Sequence, residues 1–218
     1  MLEIIKTADG SHTIFVSELN EHYHSVNGAF RESSFIFINN GFDFNKAESL
    51  RIFEVGFGTG LNTFLSAIRS KKENRRVYYT AIEKYPLPDD IIQALNYPDF
   101  VDKNDRMIFR AIHDSPWNSP HKIHSNFTLT KTRGDLITDD ISGNFDIIYF
   151  DAFGPDKQPE MWTGEIFRKI SEIVTIKGIL VTFTSKGEVK RRLREFGFQV
   201  NILPGPPGKR HIIRAVKI

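Results

Sequence analysis

Four carboxylates and one glycine run carry most of the chemistry legible in this chain. Glu54 stands just ahead of Gly56-Phe57-Gly58-Thr59-Gly60, and Glu83 lies 23 residues beyond Gly60. Asp135 follows Gly134, and Asp151 closes the apolar run Phe145–Phe150. Each falls at or just beyond the C-terminal end of an expected β-strand, which is where open parallel sheets bind ligands. Glycines let backbone approach a ligand closely and permit positive φ. The Gly-x-Gly-x-Gly spacing departs from the dinucleotide fingerprint, which disfavours a nicotinamide cofactor. Glu83 is spaced to accept hydrogen bonds from ribose hydroxyls, and Asp135 to receive the exocyclic amine of adenine. Glu54 and Asp151 would sit nearest a cationic centre, so the set suits adenosine joined to a sulfonium. Taken singly, Glu83 or Asp135 is better read as a solvated strand end or a helix cap. Their order as a set of four points to a ligand.

The elements that must position them alternate strand and helix. Strands are expected over 50–55, 77–82, 127–132, 145–150 and 178–184, with further strands over 106–112 and 121–124. Helices are expected over 61–69, 89–95, 159–174 and 187–196; in the first, Leu61, Phe64, Leu65 and Ile68 repeat at helical spacing. Such alternation implies a parallel sheet covered on both faces. The last two strands, 199–203 and 211–216, are joined by the short Pro204–Arg210 loop and must run antiparallel, because a parallel return needs a longer crossover. Ahead of this, Glu3–Lys6 and Thr13–Val16 flank Asp9-Gly10 as a hairpin, and a helix is expected over 21–37, stopped by Asn39-Asn40-Gly41. The expectation is an α/β, Rossmann-like fold: residues 46–218 form the main domain, and residues 1–45 a hairpin and helix extension packed on it.

Composition bounds the rest. The chain has 218 residues, 40% hydrophobic, with 19 Phe and no Cys. That supplies one sizeable core and excludes disulfides, thiolate metal sites and a cysteine nucleophile. His113, His121 and His124 lack acidic partners at ligand spacing, so no metal is expected. No membrane span or signal segment is expected, and the cytoplasm is the expected location. Net charge is +2, yet the segment from Lys186 onward holds nine Lys or Arg against Glu188 and Glu195. That segment therefore carries about +7 and the preceding chain about −5. A basic end can orient a polyanion such as RNA, or be a solvated face with a guarded edge strand.

Three blocks add a resemblance: Glu54 through Asn62, Ile82-Glu83-Lys84-Tyr85-Pro86-Leu87, and Phe150-Asp151-Ala152-Phe153-Gly154-Pro155. With Lys157-Gln158-Pro159-Glu160-Met161-Trp162-Thr163, Thr182–Ser185 and Gly205–Arg210, they resemble the MnmC-like methyltransferase domain, a class I S-adenosylmethionine-dependent family. The resemblance implies S-adenosylmethionine as cofactor, held by Glu54, Gly56, Phe57, Gly58, Thr59, Gly60, Asn62, Glu83, Lys84, Gly134, Asp135 and Asp151. It implies methylation of the amine of 5-aminomethyl-2-thiouridine at the tRNA wobble position, with the anticodon stem-loop as partner. Gln158 stands where that family usually has Asn. A second, FAD-dependent domain of the best-known members lies outside this sequence, so a separate protein would supply the aminomethyl group.

In such a reaction Asp151, or else Glu160, would take the proton that an aminomethyl group must lose. Phe153, Trp162 and Phe57 are the candidates to stack on the base, beside Pro155, Lys157, Gln158 and Met161, although in a chain with 19 Phe either Phe57 or Phe153 could simply be core. Arg191, Arg192, Lys209 and Arg210, with Lys190 and Arg194, would contact phosphates. A small-molecule N- or O-methyltransferase and a noncatalytic RNA-binding module remain alternatives.

Overall fold

The computed structural model describes all 218 residues. Strands β1 (Leu2–Lys6), β2 (His12–Val16) and β3 (Glu21–His22) form a small antiparallel sheet. The turn between β1 and β2 passes through Gly10, and Asp9 Oδ1 accepts hydrogen bonds from Thr7 Oγ1 and the Ser11 backbone N–H. Helix α1 (Ala29–Ser33) then widens into a π-helical stretch over Ser34–Phe42. This corrects the helix expected over 21–37. Residues 21–22 pair with β2, and the helix continues through Asn39-Asn40-Gly41. Two contacts explain the continuation. Asn40 Nδ2 donates to Phe35 O (2.8 Å), and a Cβ on Gly41 would lie 2.8 Å from the Tyr149 ring. Gly41 therefore serves close packing rather than helix termination.

The main sheet has eight strands. At its centre are β4 (Ser49–Val55), β5 (Arg76–Glu83), β7 (Phe127–Arg133), β8 (Phe145–Phe150) and β9 (Val174–Thr182), all parallel. The β10 (Phe198–Pro204) and β11 (His211–Lys217) hairpin joins antiparallel beside β9, and β6 (Pro120–His124) lies antiparallel at the far edge. The order is β10-β11-β9-β8-β4-β5-β7-β6. This mostly parallel sheet with a C-terminal antiparallel hairpin is a Rossmann-like class I methyltransferase fold. Register brings Val55 opposite both Ile82 and Phe150, so β4, β5 and β8 end within about one residue of one another, at Val55, Glu83 and Phe150.

Helices α2 (Leu61–Lys72), α3 (Asp89–Gln93), α4 (Arg106–Asp114), α5 (Gly164–Ile173) and α6 (Gly187–Glu195) accompany the sheet. Residues 106–114 correct the strand expected there. Ile108, Phe109 and Ile112 are buried on one helical face, while Met107 is 81% exposed. The helix expected from 159 is also divided. Pro159–Trp162 form a 3-10 turn, and Thr163 Oγ1 accepts from the Ile166 N–H to cap α5. Val174 already belongs to β9, four residues ahead of expectation.

Strands buried on both faces read as continuous apolar runs, and β4 shows how the cores divide. Leu50 and Ile52 join one buried core, while Phe53 and Val55 join the other. Ile14, Ala29, Ile36, Phe37 and Phe42 belong to the first core, so the extension shares apolar packing with the main sheet. No helix is long and apolar enough to cross a membrane.

Candidate active site

A cleft of about 480 Å³ opens beyond the C-terminal ends of β4, β5 and β8. That is within the range of about 300–1,000 Å³ for sites that enclose small ligands. The glycine loop forms its floor. Gly56 takes φ +86°, and a Cβ there would stand 2.8 Å from the Asp151 carbonyl oxygen. The Gly56 and Phe57 N–H groups both donate to Ile82 O, and the Asp151 N–H donates to Val55 O (3.0 Å). Three strand ends are thus tied through backbone, and only glycine fits where they converge.

The carboxylates occupy two regions of the cleft. On one side, Glu83 accepts from the Gly58 N–H at Oε2 and the Tyr85 N–H at Oε1, both at 2.9 Å. Asp135 pairs with Lys84 Nζ at 2.7 Å and accepts from the Ile137 N–H. The Lys84 contact is the main cause holding the Asp135 carboxyl below its ordinary range. Gly134 leaves room for Asp139, whose Oδ2 would lie 2.5 Å from an added Cβ. On the other side, Asn62 Nδ2 donates to Glu54 Oε1 (2.9 Å) and to Asp151 Oδ2 (2.8 Å). Thr63 Oγ1 donates to Glu54 Oε2.

Asp151 lines the cleft, whereas Glu54 is 1% exposed and lies behind it. Direct contact of Glu54 with a ligand cation is therefore absent from this geometry; Asn62 stands between. Burial pushes Asp151 up to about 7, opposed by the Asn62 hydrogen bond. Burial likewise raises Glu54, to about 8, with the nearby Asp151 charge adding to the shift.

The remaining candidates separate by position. Thr59, Phe153, Gln158, Glu160, Met161 and Lys209 line the cleft, as do Phe57, Gly58 and Lys84. Gly60 lies at the loop's end, where its missing side chain accommodates the His113 ring. Trp162 is 1% exposed and does not reach the cleft; its Nε1 donates to Phe153 O (2.7 Å), which fixes the Phe153 loop. Pro155 is buried beside that loop. Lys157 Nζ is engaged by the carbonyls of Leu19 and Asn20, tying the loop to the extension. Arg191 and Arg210 are exposed and Arg192 half-buried, and none lines the cleft.

The sequence reading missed one whole wall. Residues Glu21–Val26 and Glu32 of the extension line the cleft, with Phe183 just beyond β9. Tyr23 packs edge-on to Phe153 with 5.0 Å between centroids, and His24 Nε2 lies 2.8 Å from Thr59 Oγ1. A cluster of His22, Tyr23 and His24 was the available signal, but it precedes the sheet and sits at no strand end. No group of three or more His, Cys, Asp or Glu side chains is placed to hold a metal.

The buried groups set a pH dependence of stability. Glu54 and Asp151 titrate higher in the fold than unfolded, so the folded chain retains protons that the unfolded chain sheds. Their contribution falls as pH rises from about 4 to about 8. His24 and His113, pushed down to about 4 by burial, act in the opposite sense below about 6.5. Lys131, lowered to about 8 by burial, begins to add stability only above that pH. The ligand-free protein is therefore expected to lose thermal stability between about pH 6.5 and 8, and Glu54→Gln to flatten that loss. Melting curves across this window check it; an identical slope in the variant would show that Glu54 is not the group responsible.

The cleft fits S-adenosylmethionine on its own geometry. There is a cradle that a Cβ would fill, a carboxylate fixed by two backbone N–H groups, and a buried Asn62 Oδ1 without a hydrogen-bond partner. A family model described as S-adenosyl-L-methionine-dependent methyltransferase matches residues 116–218, the part that bears Asp135 and Asp151. Fold and site together define a class I S-adenosylmethionine-dependent methyltransferase.

Similar proteins narrow the class. The tRNA 5-methylaminomethyl-2-thiouridine biosynthesis bifunctional protein MnmC of Pseudomonas fluorescens is 35% identical over 175 residues, 76% of this chain and 26% of that one. Its namesake from Campylobacter hominis is 29% identical over 207 residues, 93% of this chain and 31% of that one. The crystal structure of MNMC2 from Aquifex aeolicus superposes with a TM-score of 0.80 at 28% identity, covering 99% of this chain and 70% of that chain. The chain belongs to the MnmC-like methyltransferase family. It spans less than a third of the length of these two curated relatives.

Proposed function

We propose that this protein methylates the primary amine of 5-aminomethyl-2-thiouridine at the wobble position of tRNA, in the cytoplasm. The observation that carries the reading is the Asp151 carboxylate, hydrogen-bonded through Asn62 and placed on the cleft between the glycine loop and the Gln158–Met161 turn. The names of the similar proteins support the substrate.

Glu83 would hold the ribose, and Asp135 with Lys84 the adenine edge. Gly56, Gly58 and Asn62 would border the methionine portion. When bound, S-adenosylmethionine supplies a methyl carbon on a sulfonium that leaves as a neutral thioether. The chain's own residues do the rest. Protonated amines have no lone pair to attack with, and Asp151 titrates where it can take that proton near neutral pH. Glu160, which is exposed and lines the cleft, would orient the incoming amine. The wobble base belongs to a single-stranded loop, so presenting it costs little unstacking. Phe153 and Tyr23 offer the aromatic faces; stacking of this kind contributes roughly 1–3 kcal/mol per base.

The α6 arginines would then meet the phosphates of the anticodon stem. Changing Arg191 and Arg192 together to Ala is expected to make the salt dependence of tRNA affinity shallower, by about 1–2 in log–log slope. Filter binding over a salt series measures it, and an unchanged slope removes α6 from the interface. The function itself is tested by nucleoside mass spectrometry of tRNA carrying the aminomethyl base, incubated with the protein and methyl donor. A gain of one methyl group on that nucleoside is expected. Methylation of small amines or hydroxyl compounds, with the tRNA untouched, would support the small-molecule alternative instead.

A further inference from the structure

The wall contributed by the extension contains a carboxylate that the reaction outlined above leaves without a role. Glu32 is 8% exposed, lies in helix α1 and lines the cleft. Its Oε2 is fixed by the Ser25 backbone N–H at 2.8 Å. Its Oε1 is buried without a hydrogen-bond partner. Lys209 Nζ approaches that oxygen to 3.1 Å but off the direction a hydrogen bond requires, while also lying 4.7 Å above the Phe183 ring. Buried polar atoms are almost always paired, so a buried carboxylate oxygen held by an ion pair alone, on a residue that lines the cleft, retains the capacity to accept from a hydrogen-bond donor.

Charge around this corner favours a cationic donor. Glu32 and Asp151 are close enough that the Glu32 charge raises Asp151, and Lys209 is the cation that opposes it. The one ammonium thus contacts Glu32 and acts on Asp151 through charge alone. That ammonium sits on the loop Gly205–Arg210, whose Gly208 packs against Asn27 of the extension. The corner is built from both ends of the chain and is already shaped around an –NH₃⁺ group.

We propose that Glu32 is the docking carboxylate for the protonated amine of the methyl acceptor, making the site selective for primary amines over neutral nucleophiles, with Lys209 occupying the position until the amine arrives. The proposal rests on the methyl-transfer reading above and adds the group that chooses the nucleophile. The amine enters as R–NH₃⁺ and hydrogen-bonds to Glu32 Oε1. One proton passes to the Asp151 carboxylate, leaving R–NH₂ and a neutral acid. The nitrogen lone pair forms the bond to the methyl carbon as the carbon–sulfur pair leaves with sulfur. The product is the secondary ammonium R–NH₂⁺–CH₃, and Asp151 returns its proton to water when the product departs. A hydroxyl acceptor can donate a hydrogen bond to Glu32 Oε1 but brings no positive charge with which to displace the Lys209 ammonium, so it binds more weakly.

The test measures binding, so it needs no turnover. The full chain, saturated with S-adenosylhomocysteine, is titrated by calorimetry with 5-aminomethyluridine and with 5-hydroxymethyluridine at neutral pH. Wild type is expected to prefer the aminomethyl nucleoside by about 10-fold or more, as a charge-assisted hydrogen bond warrants. Glu32→Gln should reduce the preference to about 2-fold or less, with S-adenosylhomocysteine affinity unchanged as the sign of an intact fold. Glu32→Asp should recover part of it. Lys209→Met removes the competing cation and should tighten the aminomethyl nucleoside, which a purely structural ion pair would not do. Equal binding of both nucleosides to wild type, or an undiminished preference in Glu32→Gln, overturns the proposal. An intact preference in a protein that leaves tRNA unmethylated would instead sink the tRNA reading and keep the ammonium site.

Discussion

Asp151→Asn is expected to lower kcat at neutral pH by about 10²–10⁴-fold, the range for loss of a positioned general base. The substitution is nearly isosteric, and its amide oxygen can still accept from Asn62 Nδ2, so the glycine loop and the Val55 backbone contact should persist. Cofactor affinity should accordingly change far less than turnover. What disappears is a proton acceptor that burial has raised to about 7. The sign with pH follows. An amine acceptor loses its own proton as pH rises, so the variant's deficit should shrink toward alkaline pH while the wild-type rate levels off above about 7. Single-turnover rates over a pH series would show this. A variant that keeps the wild-type rate at pH 7 would reduce Asp151 to a cofactor contact and pass the proton to Glu160 or to solvent.

The separate contributions of Asp151 and Glu54 show what sequence can and cannot convey. Strand ends were legible because strands buried on both faces are apolar without interruption and stop at a polar residue, as Phe145–Phe150 does before Asp151. Spacing therefore placed Glu83, Asp135 and Asp151 along one edge of the sheet. It could not say that Glu54, one residue before the strand's last, points behind the sheet edge toward Thr63 while Asp151 points into the cleft. That difference is set by the pleat and by α2 packing against it. The helix at 106–114 was hidden for another reason: Met107, Ile108, Phe109 and Ile112 are apolar enough to suit a strand, and only the exposure of Met107 reveals the helical face.

Long-range neighbours were least legible. Trp162 reads as a stacking platform beside Pro159 and Met161, yet Phe150, Phe167 and Phe183 surround it and bury it. The contribution of Tyr23, His24 and Glu32 depends on how the extension folds across the cleft. Their sequence separation from the glycine loop and from Lys209 encodes no distance in space.

Gly56→Ala is the second substitution with a large expected effect, and it tests the floor of the cleft without touching a polar side chain. At φ +86° a Cβ already costs about 1–2 kcal/mol. Here it would also stand 2.8 Å from the Asp151 carbonyl oxygen, a backbone atom with little freedom to retreat. Strands β4 and β8 are paired through Val55 and Phe150, and the Asp151 N–H is held by Val55 O. The loop must therefore give way, pulling the Gly58 N–H from Glu83 and disordering the carboxylate proposed to hold the ribose. A loss of about 2–3 kcal/mol in stability is expected, a fall in Tm of roughly 4–12 °C for a chain of this size. Cofactor affinity should drop by about 10-fold or more, since Glu83 and Asp151 lose their relative placement. Gly154→Ala is the matched control: it lies in the same cleft, but nothing stands within 4 Å of its added Cβ. If both variants melt and bind alike, the convergence of β4, β5 and β8 on a glycine is incidental, and the cradle must be held by side chains instead.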